Sequence, residues 1–374
     1  LFKEKLIQKK ALENKIPLTC HFDLTYRCNL KGRHCYIVRQ DRPELNLAEI
    51  KDILNQLAEA GTLFLSLSGG EMFMRDDSFA IAEYARNLNF AVRLLTNGTL
   101  IDDAAIRRIK DLSPKQVTIS IYSAKPSLHD EITGVPGSFN QAVRTAGRLV
   151  EKDIKVQFSC LLMKINSGEY SSVRRLSEKV GCGFQADPHV TPRIDGNISP
   201  LMYHIHENDL AKVLTDLIMN TAQADSSEER RSKDEFDDIP CFAAMTSCYI
   251  SPYGDVFPCV QFPLICGNLR KRTFKDIWGH SPEFENIRNT RFSKLPVCSE
   301  CELRSYCRRC PGIAWIIKND FTAPYEMACR EAEIIKKIET REVKYDRKTK
   351  PIKSGRKSKK EKKETLPETG IDFR

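Results

Sequence analysis

The 374-residue chain is 41% hydrophobic and 29% charged, the balance of a folded globular protein with room for two domains, which excludes disorder as its main state. No run of 18 apolar residues is present to span a membrane, and the start (LFKEKLIQKK) has no apolar stretch of a secretory signal, so a cytoplasmic protein is expected. The net charge is +9, but residues 341–374 supply +7 of it (13 Lys/Arg against 6 Asp/Glu); the body is nearly neutral and nucleic-acid binding is not indicated.

Residues 1–17 form an N-terminal extension ahead of the first strand signal. Strand patterns follow at 18–24, 62–67, 90–95, 116–121, 154–163 and 182–187, with helical patterns between them. Over 46–60, Ile50, Ile53, Leu54 and Leu57 recur at helical spacing after Asn46, a side chain suited to cap a helix start. Over 138–152, Ala142, Val143, Ala146, Leu149 and Val150 do the same, and a helix over 207–221 closes the series. Six βα units predict a parallel sheet with helices outside. Strand twist and right-handed crossovers should curl it into a partial (β/α)6 TIM-like barrel over 18–221. Residues 222–238 hold one apolar residue larger than Ala, Phe236, and are expected to be a polar linker. Residues 239–335 are rich in cysteine and poor in strand signals, so metal ligation is expected to replace part of a core there. Residues 336–374 form a basic tail, expected to lack structure.

Cysteine usage carries the chemistry. Of 14 cysteines, nine fall within 241–329. They run Cys241-x6-Cys248-x5-Gly254-x4-Cys259, then Cys298-x2-Cys301-x5-Cys307-x2-Cys310, then x18-Cys329. Dense cysteine in a long chain without an export signal favours metal or iron–sulfur ligation over disulfides. Paired C-x2-C units also make tetrahedral zinc sites, so spacing alone leaves zinc and iron–sulfur open. Cys20, which alternates with Leu18, Phe22 and Leu24 on one strand face, reads as a buried apolar thiol, as do Cys160, Cys182 and Cys266.

In such a barrel the chemistry sits on the loops that follow the strands. The first four loops carry Thr25-Tyr26-Arg27-Cys28-Asn29-Leu30-Lys31-Gly32-Arg33-His34-Cys35-Tyr36, then Ser68-Gly69-Gly70-Glu71, then Thr96-Asn97-Gly98, then Ser120-Ile121-Tyr122-Ser123. Gly69 and Gly70 would let backbone approach a ligand closely, and Glu71 would supply an acceptor for an ammonium group. Ser120 and Ser123 are candidates for ribose or carboxylate contacts.

In this order, and with HDEITGVPGSF at 129–139, these motifs resemble the radical S-adenosylmethionine (SAM) family over roughly residues 18–190. The resemblance implies a C-x3-C-x2-C loop whose three thiolates hold a 4Fe–4S cluster. It also implies SAM chelated at the fourth iron and split to a 5′-deoxyadenosyl radical that abstracts a substrate hydrogen. Cys28 and Cys35 occupy two of the three positions, but the middle one is Gly32, which has no side chain to ligate iron. His34 is a nitrogen-bearing neighbour in the same loop. The resemblance further places Tyr36 near adenine, Gly69, Gly70 and Glu71 at the methionyl amine, and Asn97 and Ser120 among the SAM contacts.

The cysteine-rich part, with SPYGDVFPC at 251–259, CGNL at 266–269 and FKDIW at 274–278, resembles the SPASM extension of radical SAM enzymes that mature peptides and proteins. That extension binds two auxiliary 4Fe–4S clusters. Carried over by position, Cys241, Cys248, Cys259 and Cys310 would hold one, and Cys298, Cys301, Cys307 and Cys329 the other. The two-residue spacer between Cys307 and Cys310 departs from the more usual three. The function implied is modification of a peptide or small biosynthetic intermediate, fed by a low-potential donor of flavodoxin or ferredoxin type. Because the first strand begins near residue 18, either a separate leader-recognition protein or substrate binding through the C-terminal half is expected. The alternative is a non-catalytic binding or electron-transfer protein held together by iron–sulfur clusters or zinc.

Overall fold

The computed structural model of the chain describes residues 2–222 and 238–340. Six strands, β1 (Thr19–Asp23), β2 (Phe64–Ser68), β3 (Ala91–Thr96), β4 (Gln116–Ser120), β5 (Val156–Leu161) and β6 (Gly183–Asp187), alternate with helices. They lie parallel and neighbour one another in chain order, as the βα periodicity requires. The sheet does not stop at β1. Strand β7 (Ser247–Ile250) pairs parallel with β1, and β8 (Asp255–Phe257) and β9 (Gly267–Asn268) continue it antiparallel, giving one sheet of nine strands.

This sheet edge gives the two parts of the chain a shared core. The cysteine-rich part does not merely lean on metal for its stability: Phe274, Ile277, Trp278 and Phe284 are buried in the same apolar core as β1 and β2. The last helix, Glu326–Glu339, also runs past residue 335, where the tail was expected to begin. It does so because Ala328, Ala332, Ile335 and Ile338 form a buried stripe at helical spacing. Most of the expected linker (223–237) and the basic stretch 341–374 lie outside the described residues. Among the described residues no helix is long and apolar enough to cross a membrane.

The local signals act as read. Asn46 accepts a hydrogen bond from Glu49 N–H at 3.0 Å while its own N–H donates to Glu49 Oε2 at 2.8 Å, a capping box that starts the helix Leu47–Glu59. Ile50, Ile53, Leu54 and Leu57 are then buried against the sheet, each worth about 1.5–3 kcal/mol. Helix Ser138–Glu151 buries Ala142, Val143, Ala146 and Leu149.

Alternation along the strands gives the sheet two unlike faces. Cys20, Phe22, Leu65, Leu67, Val92, Leu94, Val117, Ile119, Phe158 and Cys160 face the helices and are fully buried. The opposite positions are polar in large part: His21, Asp23, Ser66, Ser68, Arg93, Gln116, Thr118, Ser120, Gln157, Ser159, Gln185 and Asp187. Across β4, β5 and β6 this face carries a glutamine ladder, with Gln116 Nε2 donating to Gln157 Oε1 at 2.6 Å and Gln157 Nε2 to Gln185 Oε1 at 2.9 Å. A curled sheet with an apolar back and a polar trough positions the site.

Candidate active site

The loop after β1 presents Cys28 and Cys35 as exposed thiols at the C-terminal end of the strands. Desolvation by the surrounding loop holds both above the ordinary thiol value. The loop is tied down at three places. Asn97 Nδ2 donates to Asn29 Oδ1 at 2.8 Å and lies 4.0 Å from Cys28 Sγ. Asn29 Nδ2 donates to Thr99 Oγ1 at 2.8 Å. Lys31 N–H donates to Thr133 O at 2.8 Å. That last anchor explains the 129–139 stretch: Asp130 accepts from Gly137 N–H, Ser138 Oγ and Phe139 N–H, which folds the segment into a self-bonded elbow under the loop.

Gly32 lies between the two thiols without a left-handed backbone. A Cβ built there would come within 3.2 Å of His34 Cε1, so the imidazole fills the space in front of this position. The ring meets Tyr122 edge-on at 4.8 Å, and burial holds its pKa down to about 4.

Gly69 and Gly70 have a close backbone neighbour within the protein. A Cβ at Gly69, which has φ +141°, would stand 2.2 Å from Thr25 O, and one at Gly70 would stand 2.4 Å from Arg27 O. Their bareness lets the β2 loop lie directly on the backbone of the β1 loop, with Gly70 N–H on Thr25 O at 2.8 Å and Glu71 N–H on Arg27 O at 2.9 Å. Glu71, expected as a free ammonium acceptor, is buried and already holds three donors. Asn97 N–H donates at 2.7 Å, Phe73 N–H at 3.1 Å, and Thr96 Oγ1 sits 2.9 Å from both carboxylate oxygens. Burial raises its pKa against these hydrogen bonds. A carboxylate has about four acceptor positions, so one remains. The Ser-Gly-Gly-Glu and Thr-Asn-Gly motifs are thus locked to each other and to the loop bearing Cys28.

Burial, together with the Asp23 carboxylate, pushes the pKa of Tyr36 well up. Asp23 is fully buried in the trough and gathers His21 Nε2 at 3.0 Å and the Tyr249 hydroxyl at 2.9 Å; Tyr249 in turn lies 2.5 Å from the Tyr26 hydroxyl. The sequence reading missed this group. The signal present was the alternation of Thr19, His21 and Asp23 opposite Cys20 and Phe22, which puts the polar residues inside. Ser120 lies on the same trough face, within reach of the Tyr122 hydroxyl. Ser123 is buried and donates to Glu169 Oε2 at 2.8 Å, a structural bond, not an open ligand contact.

In the cysteine-rich half the thiols have two neighbourhoods, and among the described residues no three Cys, His, Asp or Glu side chains are arranged to hold a metal ion. Cys259 is pushed up to about 12 by burial and by the charges of Cys310 and Cys241 beside it. Cys298, Cys301, Cys307 and Cys329 likewise act on one another. Cys248 does not join the first group. Its strand register sets it opposite Cys20, it is 3% exposed, and the two thiols share a hydrogen bond on the helix-facing side of the sheet. The expected fourth ligand is therefore a core residue, placed there by the pairing of β7 with β1. Cys266 is buried near the same core, as expected of an apolar thiol.

Comparison with known families decides between these readings. Residues 22–173 match the radical SAM superfamily, and residues 241–302 match SPASM, an iron–sulfur cluster-binding domain. The chain is a radical SAM protein with a SPASM domain. It is 25% identical over 330 residues to the AdoMet-dependent heme synthase of Methanosarcina barkeri, covering 82% of this chain and 94% of that one. It is 28% identical over 321 residues to the antilisterial bacteriocin subtilosin biosynthesis protein AlbA of Bacillus subtilis, covering 79% and 68%. Its fold is similar to that of Streptococcus suis SuiB bound to S-adenosylmethionine, with a TM-score of 0.66, 19% identity and coverage of 87% and 79%. Native anSMEcpe with bound AdoMet has a TM-score of 0.64, 17% identity and coverage of 87% and 98%. These solved structures carry the partial TIM-like barrel that the βα pattern predicts.

The radical SAM/SPASM assignment implies 4Fe–4S clusters and SAM. The barrel loop does not fit a three-thiolate cluster, because position 32 is a glycine and an imidazole stands before it.

Proposed function

We propose that the chain is built for SAM-dependent radical chemistry on a peptide or small biosynthetic intermediate, and that Gly32 withholds the third thiolate of its barrel cluster. The observation that carries the reading is the pairing of β7 with β1. It joins the strand that leads into the loop of Cys28 and Cys35 to the first strand of the cysteine-rich half, with the Tyr249 hydroxyl donating to Asp23 across the seam. A substrate bound over this seam would lie between the two parts. Two similar proteins support the substrate class: AlbA is named for bacteriocin biosynthesis, and SuiB is solved bound to a precursor peptide, SuiA. The heme synthases supply the small-intermediate branch.

In this reading Cys241, Cys259 and Cys310 hold one auxiliary cluster and Cys298, Cys301, Cys307 and Cys329 the other. Such clusters supply one-electron transfer. The glycine-backed loops at 69–71 and 96–98 hold SAM against the Cys28 loop, and Asn97 orients that loop. A low-potential donor of flavodoxin or ferredoxin type completes the proposal.

The test is iron and SAM cleavage in the chain and in Gly32→Cys. Reconstituted without oxygen, the chain should hold about 8 irons and Gly32→Cys about 4 more. With dithionite, Gly32→Cys should release 5′-deoxyadenosine from SAM and the parent little or none. Stoichiometric zinc without iron would defeat the SPASM ligation. Equal cleavage by parent and variant would show that another ligand fills the gap. No cleavage by a fully loaded variant would favour the non-catalytic alternative.

A further inference from the structure

We propose that Arg93, on the polar face of β3, anchors a carboxylate group of the substrate. This rests on the reading that a substrate is bound on this face of the sheet, and it names the chemical class that the face selects. The Cα of Arg93 is paired with Ser66 of β2 on one side and with Gln116 of β4 on the other. The residue is half-buried, yet its guanidinium has no hydrogen bond or carboxylate partner among the described residues. Its Nε is shut off from solvent with nothing to donate to. A buried donor left unmet is costly, and a ligand that supplies the acceptor removes that cost.

The charges of the trough set the sign of that ligand. The carboxylates on this face of β1 to β6 are Asp23 and Asp187, each the last residue of its strand. Both are engaged, Asp23 by His21 and Tyr249 and Asp187 by His189 at 3.0 Å. The flanks of Arg93 are neutral donors. The Ser66 hydroxyl has no protein partner among the described residues. Gln116 Nε2 gives one hydrogen to Gln157 Oε1 and keeps a second. Further toward the start of the strands, Lys115 Nζ stands 4.1 Å from the centroid of the Phe64 ring, a second positive charge. An anion in front of Arg93 therefore meets a planar fork suited to two parallel hydrogen bonds and no competing carboxylate. One guanidinium with neutral flanks balances one negative charge, which fits a carboxylate; a phosphate dianion would leave charge uncompensated in a half-buried place.

Arg93 lies three residues before Thr96, the last residue of β3, after which Asn97 meets the loop of Cys28. At about 3.3 Å per residue the anchor is roughly 10 Å below that loop. A ligand held by its acid group thus presents to the loop a part some three extended residues away. A peptide satisfies this with a C-terminal or side-chain carboxylate, and a small intermediate with a pendant acid.

The experiment is isothermal titration calorimetry of the anaerobically reconstituted full chain with tetra-alanine, its C-terminal amide and adipate. The parent should bind at least one of the two acids, and the amide should gain nothing from Arg93. Arg93→Gln should weaken acid binding by about tenfold or more, the loss of one charge-assisted pair. Arg93→Lys, which keeps the charge without the fork and serves if the glutamine variant does not fold, should fall between. Arg93-dependent binding of tetra-alanine alone identifies a peptide carboxylate, of adipate alone a small acid, and of both the shared group. A parent that binds neither acid, or variants that bind them as tightly as the parent, would overturn the anchor. Release of 5′-deoxyadenosine by Gly32→Cys is read separately: cleavage without acid binding overturns the anchor alone, and Arg93-dependent binding without cleavage overturns the catalytic reading alone.

Discussion

The close stacking of the β2 loop on the β1 loop makes Gly70→Ala a sharp probe of the site. The added methyl would stand 2.4 Å from Arg27 O, 2.8 Å from Arg27 C and 2.9 Å from Tyr26 O. Carbon contacts are comfortable only near about 3.5–4 Å, so the two loops must part by roughly 1 Å. That motion weakens Gly70 N–H on Thr25 O and Glu71 N–H on Arg27 O. Each bond is worth about 0.5–1.5 kcal/mol, and overpacking costs about 1–3 kcal/mol more. The total loss expected is about 2–6 kcal/mol, a large share of a typical stability of about 5–15 kcal/mol. The assay is urea unfolding followed by far-UV circular dichroism, with Gly279→Ala as control. Gly279 lies in the helix Phe274–His280 with no neighbour within 4 Å of an added Cβ, so alanine there should stabilise by about 0.5–1 kcal/mol. A Gly70→Ala midpoint equal to that of the parent would refute the argument that bareness at this position is required by the Thr25–Arg27 backbone.

Two further outcomes follow from the geometry. Cys248→Ala should keep the iron content of the parent and lose about 1–2 kcal/mol of stability from a small core cavity, whereas Cys259→Ala should lose auxiliary iron; iron analysis and unfolding separate the two. The pH dependence of stability should carry the signature of His189, whose pKa is lowered by burial but raised overall to about 10 by hydrogen bonds to Asp187 and Glu331. A raised folded-state value means the contribution is complete below the unfolded value of about 6.5 and is lost as pH climbs through about 10. With the side chain about one-third exposed, roughly 1–2 kcal/mol remains after solvent screening. Thermal melts between pH 6 and 10 should fall more steeply for the parent than for His189→Gln; parallel curves would remove this histidine from the balance.

The parts of this protein that local chemistry controls were legible in its sequence. Alternation and helical periodicity located six strands and their order, because a half-buried strand and an amphipathic helix each write their geometry into a short window. The capping box at Asn46 and Glu49 is of the same kind. The ordered loop motifs lie at the C-terminal ends of the strands, where the βα pattern puts them. What only the tertiary structure decided lies in contacts between distant segments. Pairing of β7 with β1 set Cys248 opposite Cys20 in the core, since strand register, not spacing along the chain, determines which face a side chain takes. The same pairing brought Tyr249 to Asp23 across more than two hundred residues and drew Tyr36 to that carboxylate. Glu71 became the junction of two loops because burial forces a carboxylate to collect donors. Arg309 carries no motif at all; its burial against the carbonyls of Phe321 and Ala323 is visible only once the chain has folded around it, because burial is a property of a packed environment and not of a residue type.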